Sequence, residues 1–150
     1  MRDSNSVRTT KPRTPIPEGI ERIAAIVIDL AFRVHSILGP GLLESVYERC
    51  LAYEIRKAGL RCERQVERPV IYDGHPIESG FKIDLLVEGC LIVELKALDS
   101  RGGQRSDKNP FEPIHYAQTM TYLRLSGLRL GLLINFNVVR LKGHVKRVIV

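Results

Sequence analysis

The stretch FKIDLLVEGCLIVELKA, residues 81–97, constrains the chain more than any other, because it holds two strand-like arms separated by a turn. Side chains alternate along a strand, so Ile83, Leu85 and Val87 oppose Lys82, Asp84 and Leu86. On the second arm Leu91, Val93 and Leu95 oppose Ile92, Glu94 and Lys96. If both apolar sets meet one core, odd positions pair with odd positions, and that fixes the register parity. A three-residue turn, Glu88-Gly89-Cys90, satisfies this and sets Leu85 opposite Val93 and Asp84 opposite Glu94; a two-residue turn does not. Asp84, Glu94 and Lys96 then share one face, with the two acidic Cβ atoms about 5 Å apart.

Carboxylates so close repel unless a cation lies between them. Hard oxygen ligands suit Mg2+ or Mn2+, which keep several waters and bind phosphates with only one or two protein carboxylates. Lys96, two residues after Glu94, projects to the same side, where an amine orients a water or balances charge on a phosphate. A salt-bridged polar sheet face is the other reading of the same residues.

Around this hairpin the chain reads as α/β. Apolar residues at Ile23, Ile26, Val27, Leu30, Ala31, Val34 and Leu38 recur at helical spacing, predicting an amphipathic helix over 20–38. LGPG ends it, and a second helix is expected over 42–57, closed by Gly59. Residues 61–98 read as an antiparallel meander with turns at Asp73-Gly74 and Glu88-Gly89. A polar loop over 99–110, a helix over 113–126, a doubly buried strand in LRLGLLINF and a last strand over 144–150 complete a mixed sheet flanked by helices.

At 150 residues and 44% hydrophobic content, the chain can bury a core without disulfides. Residues 1–17 carry three prolines and four cations against one acid, and are expected to form a disordered basic tail before a single domain over 18–150. Cys50, Cys62 and Cys90 match neither a zinc pattern nor an even disulfide set, so they read as reduced thiols. No apolar run reaches the roughly 20 residues that span a bilayer, and no signal peptide is visible; the expectation is a cytoplasmic protein without membrane contact. The net charge of +6 favours polyanionic partners.

Asp84 followed by Glu94-Leu95-Lys96 on two adjacent strands resembles the D…ExK motif of the PD-(D/E)xK nuclease superfamily, with Ile83 standing where the motif's name has proline. Upstream, GLLESVY (41–47) resembles the GxxExxY signature of one family within it. VHSILGPGLLESVYERCLAYEIRKAGL and PIHYAQTMTYLRLSGLRLGLLINFN extend the likeness to nearly all of the chain except the tail. The resemblance implies a restriction-endonuclease-like core. It also implies that Glu44, on the helix before the sheet, joins Asp84 and Glu94 at a metal site. Gln118 and Tyr122 resemble the QxxxY element of the superfamily's exonuclease branch, so they are expected to touch nucleotide or backbone, with His115 beside them. Tyr47 is a candidate phosphate contact or a packing residue, and His35 is expected to cap helix-end carbonyls. The 99–110 loop looks longer than the family's usual connection; Arg101, Arg105 and Lys108 make it a candidate phosphate-contacting flap or a solvated insertion.

These readings converge on a metal-dependent nuclease, with DNA preferred to RNA as substrate: Glu44, Asp84, Glu94 and Lys96 catalytic, and Gln118, Tyr122, Tyr47 and His115 binding substrate. The alternatives are a catalytically silent nuclease-fold module that binds nucleic acid, and an enzyme acting on a small phosphorylated molecule.

Overall fold

The computed structural model describes residues 14–98 and 111–150. Helices α1 (Glu18–Leu38) and α2 (Glu44–Lys57) lead into strands β1 (Cys62–Tyr72), β2 (His75–Val87) and β3 (Leu91–Lys96). Helix α3 (Pro113–Ser126) and strands β4 (Leu130–Asn135) and β5 (Val145–Ile149) follow. The five strands form one sheet in the order β1-β2-β3-β4-β5. All neighbours are antiparallel except β3 and β4, which run parallel. A parallel pair needs a crossover, and α3 lies within it.

Each helix follows from its apolar spacing. Ala24, Val27, Ala31 and Val34 form the buried stripe of α1, and Tyr47, Leu51, Ala52 and Ile55 that of α2. Both stripes pack with Leu85, Val87, Leu91, Val93 and Leu95 and with Leu130, Leu132 and Ile134 of β4. On the other side of the sheet, Leu123 of α3 packs with Ile83, Leu86, Ile92 and Leu133. Strand β4 is buried along its whole length, as its unbroken apolar run requires. The LGPG turn joins α1 to α2, with Gly39 at φ 69° and Gly41 at φ 96°, angles that side chains with a Cβ rarely adopt. Helix α3 opens with Pro113 in its first turn and a capping box between Glu112 and His115, and ends at Gly127 in the left-handed conformation.

The hairpin register is the one parity requires. Leu85 pairs with Val93 and Val87 with Leu91 around the three-residue turn, and Cys90 N–H donates to the Val87 carbonyl at 3.0 Å. The expected alternation fails at one place. Ile83 packs on the α3 side together with Leu86, whereas Leu85 and Val87 pack on the α1/α2 side, so β2 reverses its facing at Asp84. Opposite it on β1, Gln65 has φ 52° and drops out of the ladder between the pairs Arg64 with Leu85 and Val66 with Ile83. A strand can exchange its faces only through such a local irregularity. Lys82 consequently lies out on the surface beside Glu67, at 3.9 Å.

Helix α1 begins two residues earlier than its apolar periodicity suggests, and α2 begins at Glu44 because Gly41 to Leu43 belong to the turn. Residues 1–13 of the expected 1–17 tail and the 99–110 loop with Arg101, Arg105 and Lys108 lie outside the described residues, whereas Ile16 packs against the core. Among the described residues, no helix is long and apolar enough to cross a membrane.

Candidate active site

The β2–β3 ladder ends at Leu85 and Val93. One step further, side chains take over the backbone groups: Asp84 N–H donates to Glu94 Oε1 at 3.2 Å, and Leu95 N–H donates to Asp84 Oδ2 at 2.9 Å. Both carboxylates are thereby held at the place where the strands part. Glu94 is only 3% exposed. Burial, and then the adjacent Asp84 charge, push its carboxyl well above the usual carboxylate range, with Lys96 opposing more weakly. Lys96 Nζ donates in turn to Gln118 Oε1 at 3.5 Å.

Glu44 approaches from the first turn of α2. It is half-buried, and its pKa is raised by burial and then by Asp84, against a lowering by Lys96 and by the Ala97 backbone. Glu44 and Glu94 therefore each lie in the fields of Asp84 and Lys96, near the carboxyl end of β3. Two asparagines absent from the expected site set hold this corner together. Asn135 Oδ1 accepts from Leu98 N–H at 3.0 Å and from Asn137 N–H at 3.2 Å. Asn137 Oδ1 accepts from Gly41 N–H at 3.1 Å, while its Nδ2 donates to the Leu98 carbonyl at 3.2 Å. The turn before Glu44 is thus fastened to the segment after Lys96. The visible signal was a polar residue closing the otherwise apolar LGLLIN.

The predicted binding residues divide. Tyr122 stacks on Phe81 with centroids 4.8 Å apart, and its hydroxyl is pushed up by burial and then by the charges of Glu94 and Asp84. Gln118 holds Lys96. Tyr47 is placed elsewhere. It is fully buried and stacked on Phe136 at 4.8 Å; its hydroxyl donates to the Gly39 carbonyl at 2.6 Å and accepts from Leu42 N–H at 3.1 Å. With no face open to a phosphate, Tyr47 is the packing residue and clamps the LGPG turn. His115 lies on the same stripe of α3 as Gln118, but its Nδ1 accepts from Glu112 N–H at 3.1 Å and its ring meets Phe111 edge-on, which ties it to the helix cap. His35 Nε2 lies 2.7 Å from the Val138 carbonyl, so it braces the loop after β4 rather than a helix end.

Sequence reading also missed Glu48. It lies one turn after Glu44, is 4% exposed, and meets Arg64 Nε at 3.1 Å and Gln65 Nε2 at 2.7 Å. The four-residue spacing from Glu44 put both acids on one helix face and was the available clue.

A corner like this is suited to charge chemistry at phosphate. Its acceptors are hard carboxylate oxygens, crowded and poorly screened, and the raised Glu94 carboxyl marks a place short of positive charge. That donor chemistry fits a divalent cation such as Mg2+. In the arrangement described, both carboxylates also hold backbone N–H groups, and no three His, Cys, Asp or Glu side chains among the described residues stand close enough to form a metal cage. Mg2+ does not require one, since it retains much of its water.

Neither the curated proteins nor the solved structures gave a match to this chain. The family model described as the PD-(D/E)XK nuclease superfamily matches residues 21–148, from within α1 to within β5. The chain belongs to the PD-(D/E)XK nuclease superfamily.

Proposed function

We propose that the protein is a divalent-metal-dependent nuclease of the GxxExxY type, hydrolysing phosphodiester bonds in DNA in preference to RNA in the cytoplasm. The observation that supports this reading is that Asp84 and Lys96 act both on Glu44 and on the buried Glu94, where β2 and β3 part. Asp84 and Glu94 would hold Mg2+ or Mn2+, joined by Glu44 directly or through a water. When bound, such an ion supplies a Lewis acid for a phosphoryl oxygen and acidifies water at neutral pH.

The chain's own groups do the rest. Lys96, a cation held by the Gln118 carbonyl, positions the attacking water and balances the charge that grows on the phosphate. Glu44, half-buried in the fields of Asp84 and Lys96, would orient that water or bind the ion. Tyr122, supported by Phe81, offers a hydroxyl to the backbone or a ring edge to a base.

One observation favours a catalytically silent module that binds nucleic acid at the same corner: Asp84 and Glu94 each satisfy a backbone N–H, as purely structural carboxylates would. Cleavage of single- and double-stranded DNA and of RNA, with Mg2+ and with EDTA, decides between them. Wild type is expected to cleave only with metal, with Asp84→Asn and Lys96→Ala reduced at least ~100-fold. Equal activity in all three preparations refutes the assignment. Salt-dependent binding without cleavage selects the module.

A further inference from the structure

Four described residues other than glycine have left-handed backbone angles. Asp73 and Glu88 occupy hairpin turns, and Ser79 lies beside the irregularity between Arg68 and Val70. Gln65, at φ 52°, is different, because it lies within β1 and directly opposite Asp84. Consecutive strand residues point to opposite faces. Arg64 and Gln65 nevertheless both reach Glu48, Arg64 Nε at 3.1 Å from Oε1 and Gln65 Nε2 at 2.7 Å from Oε2. The left-handed angle turns the second side chain to the face of the first. Strain of this kind persists only where the surroundings enforce it, and it gathers at functional sites.

What the turn achieves is a second contact for the same amide. Gln65 Nε2 also lies 3.4 Å from Asp84 Oδ1, the oxygen opposite the one that accepts from Leu95 N–H. Asp84 is thereby gripped from both sides, and its outer grip is anchored on a glutamate buried in α2, one turn beyond Glu44. We propose that Gln65 is a positioning residue that fixes the orientation of the Asp84 carboxylate for its cation and ties it to the helix carrying Glu44. This inference rests on the nuclease reading above. Gln65 need not touch substrate, and it is exposed on the edge strand of the sheet.

Two variants with opposite backbone preferences test it. Gln65→Met keeps the length of the side chain and removes the amide; Gln65→Gly removes the amide and accepts the positive φ without strain. Folding is checked by circular dichroism melts, Mn2+ affinity by calorimetry, and DNA cleavage by steady-state kinetics. Arg61→Ala, which breaks only the exposed pair with Glu88, is the control. Both Gln65 variants are expected to bind Mn2+ about tenfold more weakly or worse, and to lose kcat by a similar factor with little change in KM for DNA. Wild-type Mn2+ affinity in either variant overturns the inference: if only Gln65→Met is impaired, the backbone and not the amide is at work. A wild type that neither binds Mn2+ nor cleaves overturns the nuclease reading, and this inference with it.

Discussion

Replacing Glu94 with glutamine should make the metal-free protein more stable, although it removes a charged residue from the candidate site. Glu94 is 3% exposed, and burial and Asp84 both favour its protonated form. Its ordinary pKa is 4.5, so between that value and its raised folded pKa the folded state binds more protons than the unfolded state. Stability therefore falls as pH rises through this window, and is greatest below it. Each unit between 4.5 and the working pH is worth about 1.4 kcal/mol, which sets a ceiling of roughly 3 kcal/mol at pH 7. Relaxation around the site lowers the effect, and a gain of about 1–2 kcal/mol is expected for Glu94→Gln. Glutamine keeps the oxygen that accepts from Asp84 N–H, and its NH2 is a neutral donor beside the Asp84 carboxylate.

The assay is thermal unfolding in EDTA from pH 5 to pH 8. Glu94→Gln should melt about 3–6 °C above wild type at pH 7, with the gap closing toward pH 5. Glu44 is raised in the same direction, so the variant keeps a shallower slope of the same sign. Glu21 and Glu88, lowered by hydrogen bonds from Arg147 and from the Arg61 backbone, titrate below 4.5 and leave the window clear. A variant no more stable than wild type at pH 8, or a gap independent of pH, would refute the claim that Glu94 is buried beside an unneutralised carboxylate.

Two further substitutions separate scaffold from site. Tyr47→Phe removes the hydroxyl shared by Gly39 and Leu42 and should destabilise by about 1–2 kcal/mol in urea unfolding, while the folded fraction cleaves at the wild-type rate. A large loss of cleavage per folded molecule would instead return Tyr47 to the site. Asn135→Leu leaves the Leu98 and Asn137 N–H groups without their acceptor and should lose roughly 2 kcal/mol or more; it should also reduce cleavage, because the segment after Lys96 comes loose. Unchanged stability would show that the asparagine clasp carries no weight.

The sheet was legible where one face had to be apolar. Parity alone gave the three-residue turn and the pairing of Leu85 with Val93, because a shift by one residue would have turned one arm's apolar set away from the core that the other arm faces. Helix α3 was equally plain, since proline opens it and a glycine closes it. The reversal at Asp84 was not legible. Parity predicts faces on the assumption that the strand stays regular, and nothing in the types of Gln65 or Asp84 announces a left-handed angle. The clasp of Asn135 and Asn137 was hidden for a different reason: it joins residues some forty to a hundred positions apart, which no local pattern encodes.

The same hidden closures decide how the site should be probed. Asp84 Oδ2 and Glu94 Oε1 accept from backbone N–H groups that a continuing ladder would otherwise have used, so the two carboxylates help to end the β2–β3 pairing. Removing either side chain by substitution with alanine strands a backbone donor and costs about 1–3 kcal/mol, whatever the residue does in catalysis. Loss of activity in Asp84→Ala would therefore mix unfolding with chemistry. Asparagine and glutamine keep an acceptor oxygen in place and remove only the charge, so Asp84→Asn isolates the electrostatic role. A site whose acids also finish a strand pair is read cleanly only through substitutions that leave the strand pair finished.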